Sequence, residues 1–194
     1  MPPDDASTSA RTPWVLQADG AALHVRGAEA SDLPRVAMMH GRCSPKSLLD
    51  RYRTGGRPPA LLVLDGQVRD PLSFVVTTED GRVVALAHVA RDTTHAFSSA
   101  EISLLVEDQW QRLGIGRALL QHCAAAGAAA GYRQLISYPG TTAGAVRQLM
   151  SEIGTTRLMT DGSRHLHTAL SGYYATTDQG IVSSPNRARA ASTG

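Results

Sequence analysis

At 194 residues the chain is sized for one globular domain with short tails. Apolar residues supply 42% and charged residues 19%, the proportions of a fold that buries enough surface to need no staples. A formal net charge of +2 argues against a nucleic-acid partner, no apolar run is long enough for a membrane span, and two cysteines, Cys43 and Cys123, suit a reducing cytoplasm rather than a disulfide framework.

Residues 1–20 are rich in Pro, Ser, Thr, Asp and Ala, with acids where a secretory signal carries bases, and predict a flexible arm. Ala22 to Arg26 reads as a strand. Asp32 to Met39 reads as a helix with Ser31 as N-cap, and Ser44-Pro45 starts a second helix that Gly55-Gly56 ends. Leu61 to Leu64 suits a strand or a helix equally. Leu72 to Thr78 and Arg82 to Ala90 are strands joined across Asp80-Gly81, a hairpin signal. Glu101 to Val106 is a strand, 114–130 a long Ala-rich helix, Gln134 to Tyr138 a strand and Ala143 to Ile153 a helix. Thr156 to Thr160 and Arg164 to Leu170 flank a second hairpin signal, Asp161-Gly162. Residues 171–194 predict a C-terminal tail, which leaves 21–170 as the single domain.

This order predicts an α+β fold, a mixed and mostly antiparallel sheet of about six to seven strands with helices on both faces. The unit from Glu101 to Tyr138 needs a crossover and supplies one parallel strand pair.

The informative stretch runs from Glu101 to Leu120. Between its strand and its helix lies Gln111-Arg112-Leu113-Gly114-Ile115-Gly116. Two glycines let backbone approach a ligand, and the helix start behind them offers unpaired N–H groups and a positive dipole end. That combination suits a phosphate or pyrophosphate, with Arg112 and Arg117 adding charge. A Walker loop would need Lys-Ser/Thr where Arg117-Ala118 stand, and a dinucleotide fingerprint would need a small residue at Leu119.

Val106-x-Asp108-x-Trp110-Gln111-x-x-Gly114-x-Gly116-x-x-Leu119-Leu120 resembles the acetyl-CoA motif of the GNAT N-acetyltransferase superfamily. The resemblance implies acetyl-CoA as co-substrate, with backbone contacts from Leu105 and Val106 and from the turn Gln111, Arg112, Leu113, Gly114, Ile115, Gly116 and Arg117. It further implies a strand that opens away from its parallel neighbour to admit the pantetheine arm. Upstream, Ser44-Pro45-Lys46-Ser47-Leu48-Leu49-Asp50-Arg51-Tyr52 is similar to a segment of bacterial Pat-type protein lysine acetyltransferases, which modify acyl-CoA synthetases and related proteins.

Transfer to an amine requires a base to take its proton. The Pat-type resemblance carries that role to Glu101, in the context Ala100-Glu101-Ile102. Strand alternation puts Glu101, Ser103 and Leu105 on one face. Glu107, at the turn, is expected in solvent. The tyrosine that serves the superfamily as general acid corresponds to Met150, with Tyr138 the nearest substitute. Cys123 reads as a small buried residue. His165 and His167 share a strand face, but no third ligand stands at a recognisable spacing, so no metal is expected. His88 and His95 flank the loop before Glu101.

The acceptor is therefore a protein lysine or a small amine, with a non-catalytic acetyl-CoA-binding module as the alternative. Neither nucleic acid nor membrane is an expected partner, and both monomer and homodimer fit the sequence.

Overall fold

A computed structural model describes residues 12–53, 56–95, 97–139, 143–160 and 164–174. Among these, eight strands form one sheet in the order β1-β2-β3-β4-β5-β6-β8-β7. The strands are β1 Trp14–Ala18, β2 Ala21–Gly27, β3 Ser73–Thr77, β4 Val83–Arg91, β5 Ser99–Val106, β6 Gln134–Ser137, β7 Thr156–Met159 and β8 His165–Ala169. All neighbours pair antiparallel except β5 and β6. The helices are α1 Leu33–Arg42, α2 Pro45–Tyr52, α3 Leu61–Arg69, α4 Ile115–Ala129, α5 Ala143–Ser151 and the single turn α6 Ser171–Tyr174. No described helix is long and apolar enough to cross a membrane.

The sheet carries one strand more than the upper expectation, and the extra strand is β1. It lies inside the stretch 1–20 that composition assigns to an arm. Trp14, Leu16 and Ala18 turn toward the core while Val15 and Gln17 face out. Asp19 (φ 50°) and Gly20 (φ 76°) supply the two left-handed positions of a tight hairpin into β2. At the other end, α6 occupies the start of the expected tail, and Tyr173 packs on the core.

The ambiguous Leu61 to Leu64 run is the first turn of α3, with Leu64 and Val68 buried on one side. Asp32, not Ser31, takes the N-cap position of α1, without a side-chain hydrogen bond to the helix. Ser31 lies in a preceding 3-10 turn, Ala30–Asp32, where Glu29 N–H donates to Asp32. The Asp80-Gly81 hairpin is present, with Gly81 at φ 79°. The Asp161-Gly162 turn lies outside the described residues, although β7 and β8 pair as a hairpin would.

The sheet separates two apolar layers. One packs Leu23, Val25, Phe74, Ala87 and Ile102 against Leu119, Cys123 and Met150 of α4 and α5. The other packs Val75, Leu86 and Leu105 against Val36, Met39, Leu48 and Leu64 of α1 to α3. Along β5, Ala100, Ile102 and Val106 therefore face α4, while Leu105 faces α1–α3 and puts Glu101 and Ser103 on the same side as itself.

Candidate active site

Strands β5 and β6 stay paired only over Ser99↔Gln134, Ala100↔Leu135 and Glu101↔Ile136. Beyond Glu101 they part, because β6 ends at Ser137 and the chain leaves through Tyr138-Pro139. The gap opens into a cleft of about 330 Å³. Residues from both sides of the sheet line it: Glu101, Ser103 and Arg51 on the α2 side, Leu104, Leu120 and Met150 on the α4–α5 side. The strand that the sequence singles out thus has an edge free of its parallel neighbour along Ile102 to Val106.

At the far end of that edge the chain turns into α4. Glu107 N–H returns to Val84 O at 2.9 Å, a 3-10 turn spans Asp108–Trp110, and Gln111 N–H donates to Asp108 O at 3.2 Å. Arg112 (φ 63°) and Gly114 (φ 86°) are both left-handed. Gly114 is the N-cap of α4 and provides no side-chain hydrogen bond to it. The first intrahelical bond is Ala118 N–H to Gly114 O at 3.0 Å, which leaves the amides of Ile115, Gly116 and Arg117 without an acceptor in the helix. Gly114 and Arg112 are exposed, and a methyl group added at Gly114 would meet nothing within 4 Å. This corner is a set of bare N–H groups at the positive end of a four-turn helix, open to solvent.

The other expected contacts vary in their surroundings. Leu105 and Val106 are buried, so only their backbone edge is available. Gln111 donates to Val106 O at 2.9 Å and to Ser47 Oγ at 3.0 Å, fastening the turn to β5 and to α2. Leu113 is half-buried and Ile115 buried against the core. Arg117 is paired with Glu152, beyond α5, at 2.7 Å, so its charge is already balanced.

Helix α2 is locked to the same turn. Ser44 caps it by accepting from Ser47 N–H at 3.2 Å. Asp108 accepts from Ser44 N–H (2.8 Å), Ser44 Oγ (2.7 Å) and Ser47 Oγ (2.9 Å). Burial works against the Asp108 carboxylate, but the Ser44 and Ser47 bonds outweigh it and hold its pKa below the usual value. The start of α2 and the turn before α4 are thus one hydrogen-bonded unit. Asp108→Ala is expected to cost about 1 kcal/mol, or about 3 °C in melting temperature. An unchanged thermal melt would mean that Leu48 and Tyr52 hold α2 without it.

The far end of α2 reaches the cleft. Arg51 lies over the Tyr52 ring, 4.6 Å from its centroid. Burial lowers the pKa of Arg51, while Tyr52 and Glu101 favour its charge, so the guanidinium and the Glu101 carboxylate are within electrostatic reach. Tyr52 is held from behind by His40, whose Nε2 is 2.6 Å from the phenol oxygen.

Two expectations need correction. Glu107 is not in solvent: it is 3% exposed, ion-paired to Arg42 at 3.0 Å and to Arg82, and accepts from Gln109 at 3.1 Å. Its partners lie far away in sequence, so local position misled. The spacing of the histidines likewise gives no third neighbour for His165 and His167, yet the fold supplies one, His95. His88 lies 3.4 Å from Asp70. Met150 is buried in the core, while Tyr138 lines the cleft. Cys123 is fully buried, which pushes its thiol pKa far up, and burial raises Cys43 to about 12, so neither is a ready nucleophile.

The acetyltransferase (GNAT) domain model matches residues 70–174, more than half of the chain. A comparison with curated proteins gave no match. Among solved structures, the GNAT domain of S. lividans PAT is similar at 21% identity and a TM-score of 0.71, covering 84% of this chain and 98% of that one. A phosphinothricin acetyltransferase from Sinorhizobium meliloti, in complex with AcCoA, is similar at 23% identity and a TM-score of 0.61, over 78% of this chain and 90% of that one. YncA from Salmonella typhimurium, with its cofactor acetyl-CoA, is similar at 17% identity and a TM-score of 0.60, over 76% and 94%. At such identities the structural likenesses speak for the fold, and the family match carries the membership. The chain belongs to the GNAT family and is an acetyl-CoA-dependent acetyltransferase.

Proposed function

We propose that the protein acetylates the side-chain amine of a lysine in a protein substrate, with Glu101 as general base. The observation that carries this reading is the meeting of Glu101 with Arg51 and Tyr52 in one cleft. These residues belong to the two segments that resemble Pat-type enzymes, and α2 is fixed to the turn through Asp108. The described elements from Trp14 to Tyr174 make up the catalytic unit. On the Pat-type resemblance an acyl-CoA synthetase is the first substrate to try.

Acetyl-CoA supplies a thioester carbonyl that an uncharged amine attacks. The amides of Leu113 to Arg117 hold the diphosphate, and the exposed Arg112 guanidinium adds to the field there. The backbone edge of Ile102 to Val106 guides the pantetheine arm, and Leu105 and Val106 contribute main-chain atoms. From Val106 to Glu101 is roughly 17 Å of strand, which separates the diphosphate site from the chemistry. Glu101 takes the amine proton, directly or through one water. As the C–N bond forms, the C–S bond breaks and its electron pair leaves with the sulfur.

A second reading has its own observation. Arg51 brings a cation into the cleft and Arg53 also lines it, so a small amine bearing an acidic group would find a counter-charge there. Free-thiol release measured with lysine-containing acyl-CoA synthetases, lysine peptides and amino acids separates the two. The protein-lysine reading expects turnover on the folded proteins well above that on any free amino acid. Turnover confined to small acidic amines would replace it with the second reading.

A further inference from the structure

The sheet face that carries Glu101 also carries a group of imidazoles. Across neighbouring strands Glu101 is opposite Ile136, and Ile136 is opposite His167. His165 follows by alternation on the same face of β8 and is 2% exposed. The loop between β4 and β5 then lays His95 against both. Ring centroids are 5.0 Å apart for His95–His165, 4.9 Å for His95–His167 and 4.7 Å for His165–His167. One ring nitrogen from each lies within 4.8 Å of the others.

His95 is oriented from behind. The Asp92 carboxylate is 2.8 Å from His95 Nδ1 and also accepts from the Thr94 amide at 2.6 Å and the His95 amide at 3.2 Å. A carboxylate accepting from Nδ1–H leaves the Nε2 lone pair free to point into the group, the arrangement that supports metal-bound histidines.

We infer that His95, His165 and His167 form a binding site for a divalent transition metal of the zinc class, separate from the acetyl-CoA cleft and two strands from Glu101. Imidazole donors suit zinc, cobalt, nickel and copper, whereas magnesium and calcium prefer oxygen. Three histidines with the fourth position left to water or another group is a familiar zinc set. Tetrahedral zinc would bring the nitrogens to roughly 3.4 Å of each other, so the rings close slightly around the ion. Such an ion ties the β4–β5 loop to β8, just ahead of the strand that bears Glu101.

The test uses the full chain without an affinity tag, stripped with chelator and titrated with Zn²⁺ and Co²⁺. One equivalent should bind, Zn²⁺ should raise the melting temperature by several degrees, and bound Co²⁺ should show the visible absorption of a four-coordinate site. His167→Ala should weaken Zn²⁺ binding by more than tenfold, and Asp92→Asn by about 10- to 100-fold. Should His167→Ala misfold by circular dichroism, His95→Ala, on the loop, replaces it. Absence of stoichiometric binding overturns the site and leaves a stack of imidazoles. Binding unaltered in the folded variants overturns it too, because the ion is then held elsewhere.

Discussion

Gly114→Glu is expected to remove most of the stabilisation that acetyl-CoA confers, raising its Kd by about 100-fold, or about 2.7 kcal/mol. Gly114 sits at φ 86° as the bare N-cap of α4. A glutamate there brings a carboxylate to the amides proposed to hold the diphosphate. It also accepts about 1–2 kcal/mol of left-handed strain, partly offset by a favourable charge at the helix N-terminus. The readout is therefore the difference in melting temperature with and without acetyl-CoA, not the ligand-free value. Arg112→Glu, exposed and already left-handed, reverses a charge without touching the core and should act in the same direction. A full acetyl-CoA shift in both variants would mean that the diphosphate lies elsewhere.

Glu101→Gln should lower kcat by about 10²- to 10⁴-fold, the usual contribution of a positioned base, with acetyl-CoA affinity within about twofold of wild type. The substitution preserves size at a half-buried position on the cleft and removes the proton acceptor. The variant's rate should climb more steeply with pH, since the fraction of uncharged lysine grows as pH approaches about 10.4. Steady-state kinetics across pH measures both effects. Equal kcat in variant and wild type would take Glu101 out of the mechanism.

The strand, turn and helix around Gly114 were legible because their signals are local: an apolar run, two glycines and an Ala-rich helix in direct succession. The face shared by Glu101, Ser103 and Leu105 followed from strand alternation alone. What escaped depends on contacts between distant segments. Glu107 reads as a solvent-facing turn residue until Arg42 and Arg82 fold over it. Ser44 and Ser47 read as a helix start until Asp108 is seen to bind both. His95 joins His165 and His167 only because its loop crosses to β8. Strand β1 had a local signal, Asp19-Gly20, but the Pro- and Ser-rich composition around it masked five residues whose alternation is easily mistaken for arm.

Amide chemical shifts of the ¹⁵N-labelled protein, followed as coenzyme A is added, bear on the diphosphate site most directly. The largest changes should fall on Leu113, Gly114, Ile115, Gly116 and Arg117, and 3′,5′-ADP, which lacks the diphosphate-linked arm, should reproduce them poorly. Changes concentrated away from these residues, with the α4 amides unmoved at saturation, would contradict the account.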